Sequence, residues 1–344
     1  MPRNAKPSGE PAPSASKTIK KGKSKKKIQQ LKTALNVEFE NIQRSAAESL
    51  PPRVVTIKNV SLGGLRDAYS NRHVSIEGDP IRMNLEAFTR YPPHRKRPLK
   101  VIAEKDGGLL LYRLPADKSG DAEMLHQTIS QLPPVPPSKT DGFRRSEYIT
   151  RSYGLNRNSA TEPFYTDDYI RDGPEAKEWI RVNESIWKRM TFAVATVSKR
   201  VFRDYQLFPL DAPGGEPGRL FGLFTRCFIN QGGIDVPQST AHRDPGEPRD
   251  GLVAIISTGN YSKGGLVFHD LGIIVETNPG DIIVFPDSVL YHSVEAVEGE
   301  RNSVVCVTPN NILAYWAKKY KMQRRTDWKK KKGAPSKSAK GKKG

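Results

Sequence analysis

The sequence predicts an α+β fold: a double-stranded β-helix, or jelly roll, of antiparallel strands, buttressed by helices and flanked by disordered basic tails. Three observations carry this. Residues 220–307 read as short β-branched and aromatic runs cut by Gly, Pro and Asn, with no helical period among them. Upstream, Trp179, Val182, Ile186, Met190, Val194, Val197, Val201 and Tyr205 recur every three or four residues, the spacing of an amphipathic helix. The net charge of +19 sits at the ends: residues 1–32 carry +9 and residues 318–344 carry +12, which leaves the 285 residues between them near −2. A near-neutral body with cationic ends excludes a domain that is one continuous basic surface. The expected organisation is a disordered tail at 1–32, a helical and hairpin part at 33–219 packing on the core, the jelly roll at 220–317 and a basic tail at 318–344.

The elements follow in order. The first tail mixes Pro, Ser, Ala and Gly with Lys and ends in KKGKSKKK at 20–27, too little apolar surface to offset the entropy of ordering it. Val101 to Ala103 and Leu109 to Leu114 flank an Asp106-Gly107 turn, a hairpin signal. A short helix ends near Leu132, where the Pro-rich stretch 132–137 marks a surface connection. Pro174 then sets the start of one long helix running to Pro209, its Trp and Met residues serving the core. After the Pro/Gly loop 209–218 come LFGLFTRCFI, LVAIIS, GLVFHD, GIIVET, DIIVFP, SVLYHSV and NSVVCV, spaced as jelly-roll strands. Asn278-Pro279-Gly280-Asp281 between two of them has the Pro and Gly positions of a type II turn. The C-terminal tail places Tyr320 and Trp328 among lysines and arginines, where an aromatic can stack on a base or dock back on the body. Basic runs of this kind suit phosphate contact or nuclear import, so a nuclear location is expected. Cys227 and Cys306 alone supply neither a disulfide framework nor a zinc module. With no run of about 18 apolar residues and no apolar signal core, neither a membrane-spanning nor a conventionally secreted protein is expected.

Chemistry concentrates in the β segment. His242 and Asp244 stand two apart, so on an extended backbone both side chains leave one face. His292 arrives 48 residues after Asp244, a separation that a jelly roll closes across its mouth. Two imidazoles and one carboxylate on one face leave the opposite coordination positions open, the arrangement of non-haem Fe(II) oxygenases. Arg301, nine residues beyond His292, offers a planar fork for the distal carboxylate of a dicarboxylate. His269 lacks a partner at matching spacing and reads as structural or surface.

Those residues, in HRD at 242–244 and GNYSKGGLVFHDLGIIVETNPGDIIVFPDSVLYHSVEAVEGERNSVV at 259–305, resemble the 2-oxoglutarate/Fe(II) dioxygenase domain of the ten-eleven-translocation and J-binding-protein (TET/JBP) family, in its compact fungal and protist form. The likeness covers about a quarter of the chain, near 230–311. Position by position it implies His242, Asp244 and His292 as iron ligands and Arg301 as the 2-oxoglutarate clamp, with Fe(II), 2-oxoglutarate and O2 as cofactor and cosubstrates. It implies oxidation of the methyl of 5-methylcytosine in DNA to 5-hydroxymethylcytosine and onward, by a monomer that flips the base from a duplex. No protein nucleophile is needed, in line with the absence of a nucleophile-elbow motif. Base-edge readers are expected near the metal: Asn230 and Gln231 before H-x-D, Glu247 three residues after Asp244, and Asn310 and Asn311 beyond the Arg301 strand. Glu247 suits the cytosine amino group. Some relatives place an aromatic and a His six and eight residues after the clamp Arg, where this chain has Val307 and Pro309. Two alternatives stay open: a 6-methyladenine DNA or RNA demethylase of the same mechanism, and a DNA-binding protein whose barrel no longer catalyses.

Overall fold

The computed structural model describes residues 21–70, 85–135, 148–158, 160–206, 218–234, 239 and 241–319. The terminal segments 1–20 and 320–344, with Tyr320 and Trp328, and all but one residue of the loop 209–218 lie outside the described residues. The elements are α1 (Lys21–Glu48), β1 (Arg53–Ile57), α2 (Leu62–Ser70), β2 (Thr89–Tyr91), β3 (Leu99–Ala103), β4 (Leu109–Leu114), α3 (Asp121–Ser130), β5 (Tyr148–Asn156) and β6 (Phe164–Tyr165), then α4 (Asp167–Val182), α5 (Glu184–Val197) and α6 (Lys199–Gln206). The β segment follows with β7 (Arg226–Ile234), β8 (Val253–Lys263), β9 (Leu266–Phe268), β10 (Ile273–Val275), β11 (Ile282–Phe285), β12 (His292–Val294) and β13 (Val297–Val307), and α7 (Asn310–Lys319) closes the described chain.

Two sheets form the double-stranded β-helix. The large one has the order β1-β3-β4-β11-β8-β13-β7-β5-β6 and the small one β12-β9-β10-β2. Within residues 226–307 every ladder is antiparallel, and the chain crosses repeatedly between the sheets: β7 and β8 lie in the large one, β9 and β10 in the small one, β11 in the large, β12 in the small and β13 in the large. The type II turn is present: Asp281 N donates to Asn278 O at 3.0 Å, and Gly280 has φ of 88°, which a side chain disfavours. Side-chain alternation then divides the core in two. Ile282, Val284, Val304 and Cys306 face α3, α5 and α6, while Ile283, Phe285, Val253 and Val307 face the small sheet and fill the barrel.

Three features differ from the expectations. Residues 33–219 do more than pack on the jelly roll, because β1, β3, β4, β5 and β6 extend the large sheet and β2 joins the small one in parallel with β10. The anticipated hairpin is β3–β4, and it reaches the core by pairing β4 with β11. The long helix is three helices, and it begins at Asp167, upstream of Pro174. The backbone leaves helical geometry at Gly173 (φ 40°, ψ −109°), just before Pro174, and again at Asn183 and Ser198. A repeat of three and four counts residues only, so one-residue interruptions leave it intact in sequence. Finally, α1 starts at Lys21, within the stretch expected to be disordered. From Lys21 to Leu50 the chain has no Pro and is rich in helix formers. The helix is anchored where Phe39 packs on Phe202, ring centroids 5.7 Å apart, and where Gln43 Nε2 donates to Ala195 O.

The β3–β4 turn is tied to the start of α2 by Asp106, whose carboxylate accepts hydrogen bonds from Ser61 Oγ (2.9 Å), Gly63 N (2.8 Å) and Gly108 N (3.0 Å). Partial burial raises this carboxyl, but the donors outweigh it and hold it down at about 2, from an ordinary 3.8. A depressed carboxylate contributes stability that is complete above its unfolded value and is lost as pH falls through the folded one. Asp106→Asn is therefore expected to lower the thermal midpoint at pH 6, with the difference shrinking between pH 4 and 2. A constant difference across that window would show that the ionised form of Asp106 plays no part.

Candidate metal centre and its cavity

Between β7 and β8 the chain returns to the small sheet by a narrow attachment. His242 and His292 form one antiparallel bridge, each N donating to the other's O at 2.9 Å. Ser239 supports it, its N donating to Val294 O and its Oγ accepting from Val294 N. Asp244 N in turn donates to Asp287 O at 3.2 Å. The bridge sets the H-x-D residues directly beside β12, so a sequence separation of 48 residues becomes side-chain adjacency. His242 Nε2 lies 3.7 Å from Asp244 Oδ2 and His292 Nε2 lies 3.9 Å from the same oxygen. One ligand atom from each residue falls within 4.8 Å of the others. Two bonds of about 2.1 Å from a single ion reach at most about 4.2 Å, so both separations are within the span of one ion.

The protonation of the site suits a metal. His292 Nδ1 is 2.9 Å from Leu290 O, and a carbonyl only accepts, so the proton sits on Nδ1 and the Nε2 lone pair is turned toward Asp244. Burial and the neighbouring His242 push this imidazole down to about 4, which keeps it neutral at physiological pH. The ring is wedged by Phe285, 4.9 Å away and nearly perpendicular.

Strand alternation brings Arg301 to the same place. Arg301, Ser303, Val305 and Val307 of β13 all line one cavity of about 340 Å³, and so do His242, Asp244 and His292. Arg301 is 5 % exposed; its Nη2 donates to Ser257 Oγ at 2.6 Å, its guanidinium lies over the Tyr261 ring, and its Nε has no partner. Gly259, paired with Arg301 across the ladder at φ 119°, lets β13 lie close: a Cβ there would sit 2.3 Å from Glu300 O. Among the described residues no carboxylate pairs with Arg301. A buried guanidinium without an acid calls for an anion.

The remaining candidates divide. Asn230, Glu247 and Asn311 line the cavity. Asn230 is held there by Thr150 Oγ1, which donates to its Oδ1 at 3.1 Å. Gln231 and Asn310 do not line it. Gln231 points to the helical side by strand alternation, accepting from Arg151 Nη2 at 3.1 Å. Asn310 is exposed at the first turn of α7, where its N donates to Gly246 O. Val307 and Pro309 both line the wall. His269 stands outside the triad, its Nε2 2.9 Å from Ser293 Oγ. Sequence reasoning passed over Ser257, Arg226, Phe228 and Asp287. Arg226 and Phe228 share the parity of Asn230 on β7, and the Arg226 guanidinium lies over the Phe228 ring at 4.4 Å, so a flat surface borders the cavity. At the same end carboxylates crowd. Burial first, then Asp244, pushes Glu247 up to about 8 against the pull of Arg226, and burial with Glu247 and Asp244 pushes Asp287 well up.

No protein-family model matches the chain, and no curated protein matches it. Among solved structures the chain is similar to NgTET1 in complex with 5mC DNA, at 17 % identity over 65 % of this chain and 83 % of that one, with a TM-score of 0.48. It is similar to an oxidoreductase of the 2OG-Fe(II) oxygenase family from Burkholderia pseudomallei, at 18 % identity over 57 % of this chain and 82 % of that one (TM-score 0.40). A third similarity is to OsALKBH1, at 14 % identity over 58 % of this chain and 96 % of that one (TM-score 0.35).

Proposed function

We propose that the protein is an Fe(II)- and 2-oxoglutarate-dependent dioxygenase that oxidises the methyl group of 5-methylcytosine in duplex DNA. One observation carries the reading: two imidazoles and a carboxylate gathered for one ion share a cavity with a buried arginine that has no acidic partner among the described residues. His242, Asp244 and His292 would hold the iron, and Arg301 the distal carboxylate of 2-oxoglutarate. The donor set fits Fe(II), whose oxygenase sites use two His and one carboxylate with positions left open. Bound there, the metal would activate O2, the oxidant, one atom of which would go into succinate as 2-oxoglutarate loses CO2 and the other into the new C–OH.

The chain's own residues bind, orient and exclude water. Ser257 fixes the Arg301 fork, so the carboxylate it receives is held in one orientation. Val253, Ile255, Leu266, Phe285 and Val305 keep the cavity floor apolar, which protects a reactive centre from side reactions. A base reaches this floor only when flipped from the duplex. Glu247, Asn230 and Asn311 then face its polar edge, and the Arg226–Phe228 pair offers the flat surface that Val307 and Pro309 do not. The basic runs at 20–27 and 318–332 suit duplex phosphates and a nuclear location. The aliphatic wall at Val307 and Pro309 favours one second reading, a 6-methyladenine substrate handled by the same centre.

Nucleoside mass spectrometry after incubation with Fe(II), 2-oxoglutarate and duplexes carrying 5-methylcytosine or 6-methyladenine tests the proposal. Expected is conversion of 5-methylcytosine to 5-hydroxymethylcytosine with one succinate per oxidation. Glu247→Ala is expected to slow 5-methylcytosine turnover on the order of tenfold, the size of one net hydrogen bond, and to slow thymine oxidation less. Loss of 6-methyladenine with 5-methylcytosine inert would replace the substrate and keep the chemistry. Absence of iron-dependent succinate on every duplex would refute the oxygenase reading.

A further inference from the structure

Arg243 stands between the two H-x-D ligands, and alternation turns its side chain to the opposite face, away from the metal. There it makes a dense set of contacts. Nη2 donates to both Asp270 oxygens at 3.0 Å, Nε donates to Val289 O at 2.8 Å, and the guanidinium lies over the Tyr291 ring at 4.9 Å. Asp270 completes the loop by accepting from Tyr291 N at 2.7 Å, and His269 N donates to Tyr291 O at 2.9 Å. The pair is shielded, with side-chain exposures of 16 and 14 %. One guanidinium thus ties three segments: H-x-D, the loop 286–291 that delivers His292, and the turn 269–271 of the small sheet.

We propose that Arg243, through Asp270, is a positioning residue that sets the distance between the H-x-D ligands and His292, and thereby the affinity and geometry of the metal. The inference rests on the metal reading above and deepens it. The physical need follows from the backbone: the H-x-D segment pairs with the small sheet through one isolated bridge at His242, and its other ties, from Ser239 to Val294 and from Asp244 N to Asp287 O, are separate contacts and no continuous ladder. The brace pins that segment from behind. His242 and Asp244 face the ion while the residue between them is fixed to the same loop that carries the third ligand, so a displacement of one ligand is resisted by the others. Groups outside the coordination sphere that orient ligands commonly change metal affinity by roughly ten- to a hundredfold.

Cobalt(II) alone is the probe, read by its dissociation constant and its d–d absorption on the full chain. Arg243→Met keeps the stem and removes the fork, and Asp270→Asn keeps the shape and removes the charge, so the second variant preserves the test if the first folds poorly. Each is expected to weaken cobalt binding on the order of tenfold and to alter the d–d band. Arg243→Lys, with the charge but without the planar fork, is expected to fall between the parent and Arg243→Met. The double variant should be little worse than Arg243→Met, because the two act through one contact. A parent that binds cobalt while all variants keep its affinity and spectrum overturns the brace alone, even if their thermal midpoints drop. A parent that binds no cobalt overturns the metal reading and this inference together.

Discussion

Asp244→Ala is expected to abolish product formation, by roughly a thousandfold or more, about 4 kcal/mol of barrier at 1.36 kcal/mol per decade. Asp244 is the one anionic member of the triad, and its Oδ2 is the atom from which both imidazole Nε2 atoms are measured at 3.7 and 3.9 Å. Removing it leaves two neutral donors and no charge to balance a divalent ion. Loss of fold is not the cause expected, since Asp244 contributes to the carboxylate crowding that pushes Glu247 and Asp287 up. Its removal relieves that repulsion, so the thermal midpoint of the metal-free protein should hold or rise. Near-normal turnover in this variant would sink the assignment of the centre.

Arg301→Ala is expected to raise the 2-oxoglutarate requirement about a hundredfold, from the loss of charge-assisted hydrogen bonds worth roughly 1.5–3 kcal/mol each. Cobalt affinity should be unchanged, because Arg301 touches none of the triad; its side-chain bond is to Ser257. Arg301→Lys keeps the charge without the planar fork and should recover only part of the loss. The fold should tolerate both, as Nε is already without a partner. An unchanged apparent affinity in the two variants would place the clamp on another residue.

Much of the site was legible because its rules are local. Period-two alternation places His242 and Asp244 on one face and Arg301 with Val305 and Val307 on another, whatever the sheet does around them. The strands at 226–307 and the turn at Gly280 were legible for the same reason. What escaped depends on distant partners. Asn230 and Gln231 are neighbours in sequence, and which of them faces the cavity follows from the pairing of Asn230 with Ser303 on β13. That register also brings Arg226 and Phe228 to the cavity, so neither was visible as a candidate. Asn310 was misplaced because Pro309 opens α7, and a helix turns successive side chains by about 100° where a strand alternates. The parallel pairing of β1 with β3 and the breaks at Asn183 and Ser198 leave no periodic trace. Likewise the brace at Arg243 joins residues 27 apart, a contact that no local spacing announces.

The two-sided character of β13 has a consequence for how such a protein can diverge. Residues 302, 304 and 306 answer to the helices, and 301, 303, 305 and 307 answer to the cavity. Two demands are therefore interleaved in one strand. Substitutions at 304 and 306 are expected to register as heat sensitivity, and those at 305 and 307, which also pack in the barrel core, as heat sensitivity together with an altered cavity. Arg301 and Ser303 belong to neither core, so along this eleven-residue strand they are the positions at which the cavity can diverge at the least cost to the fold.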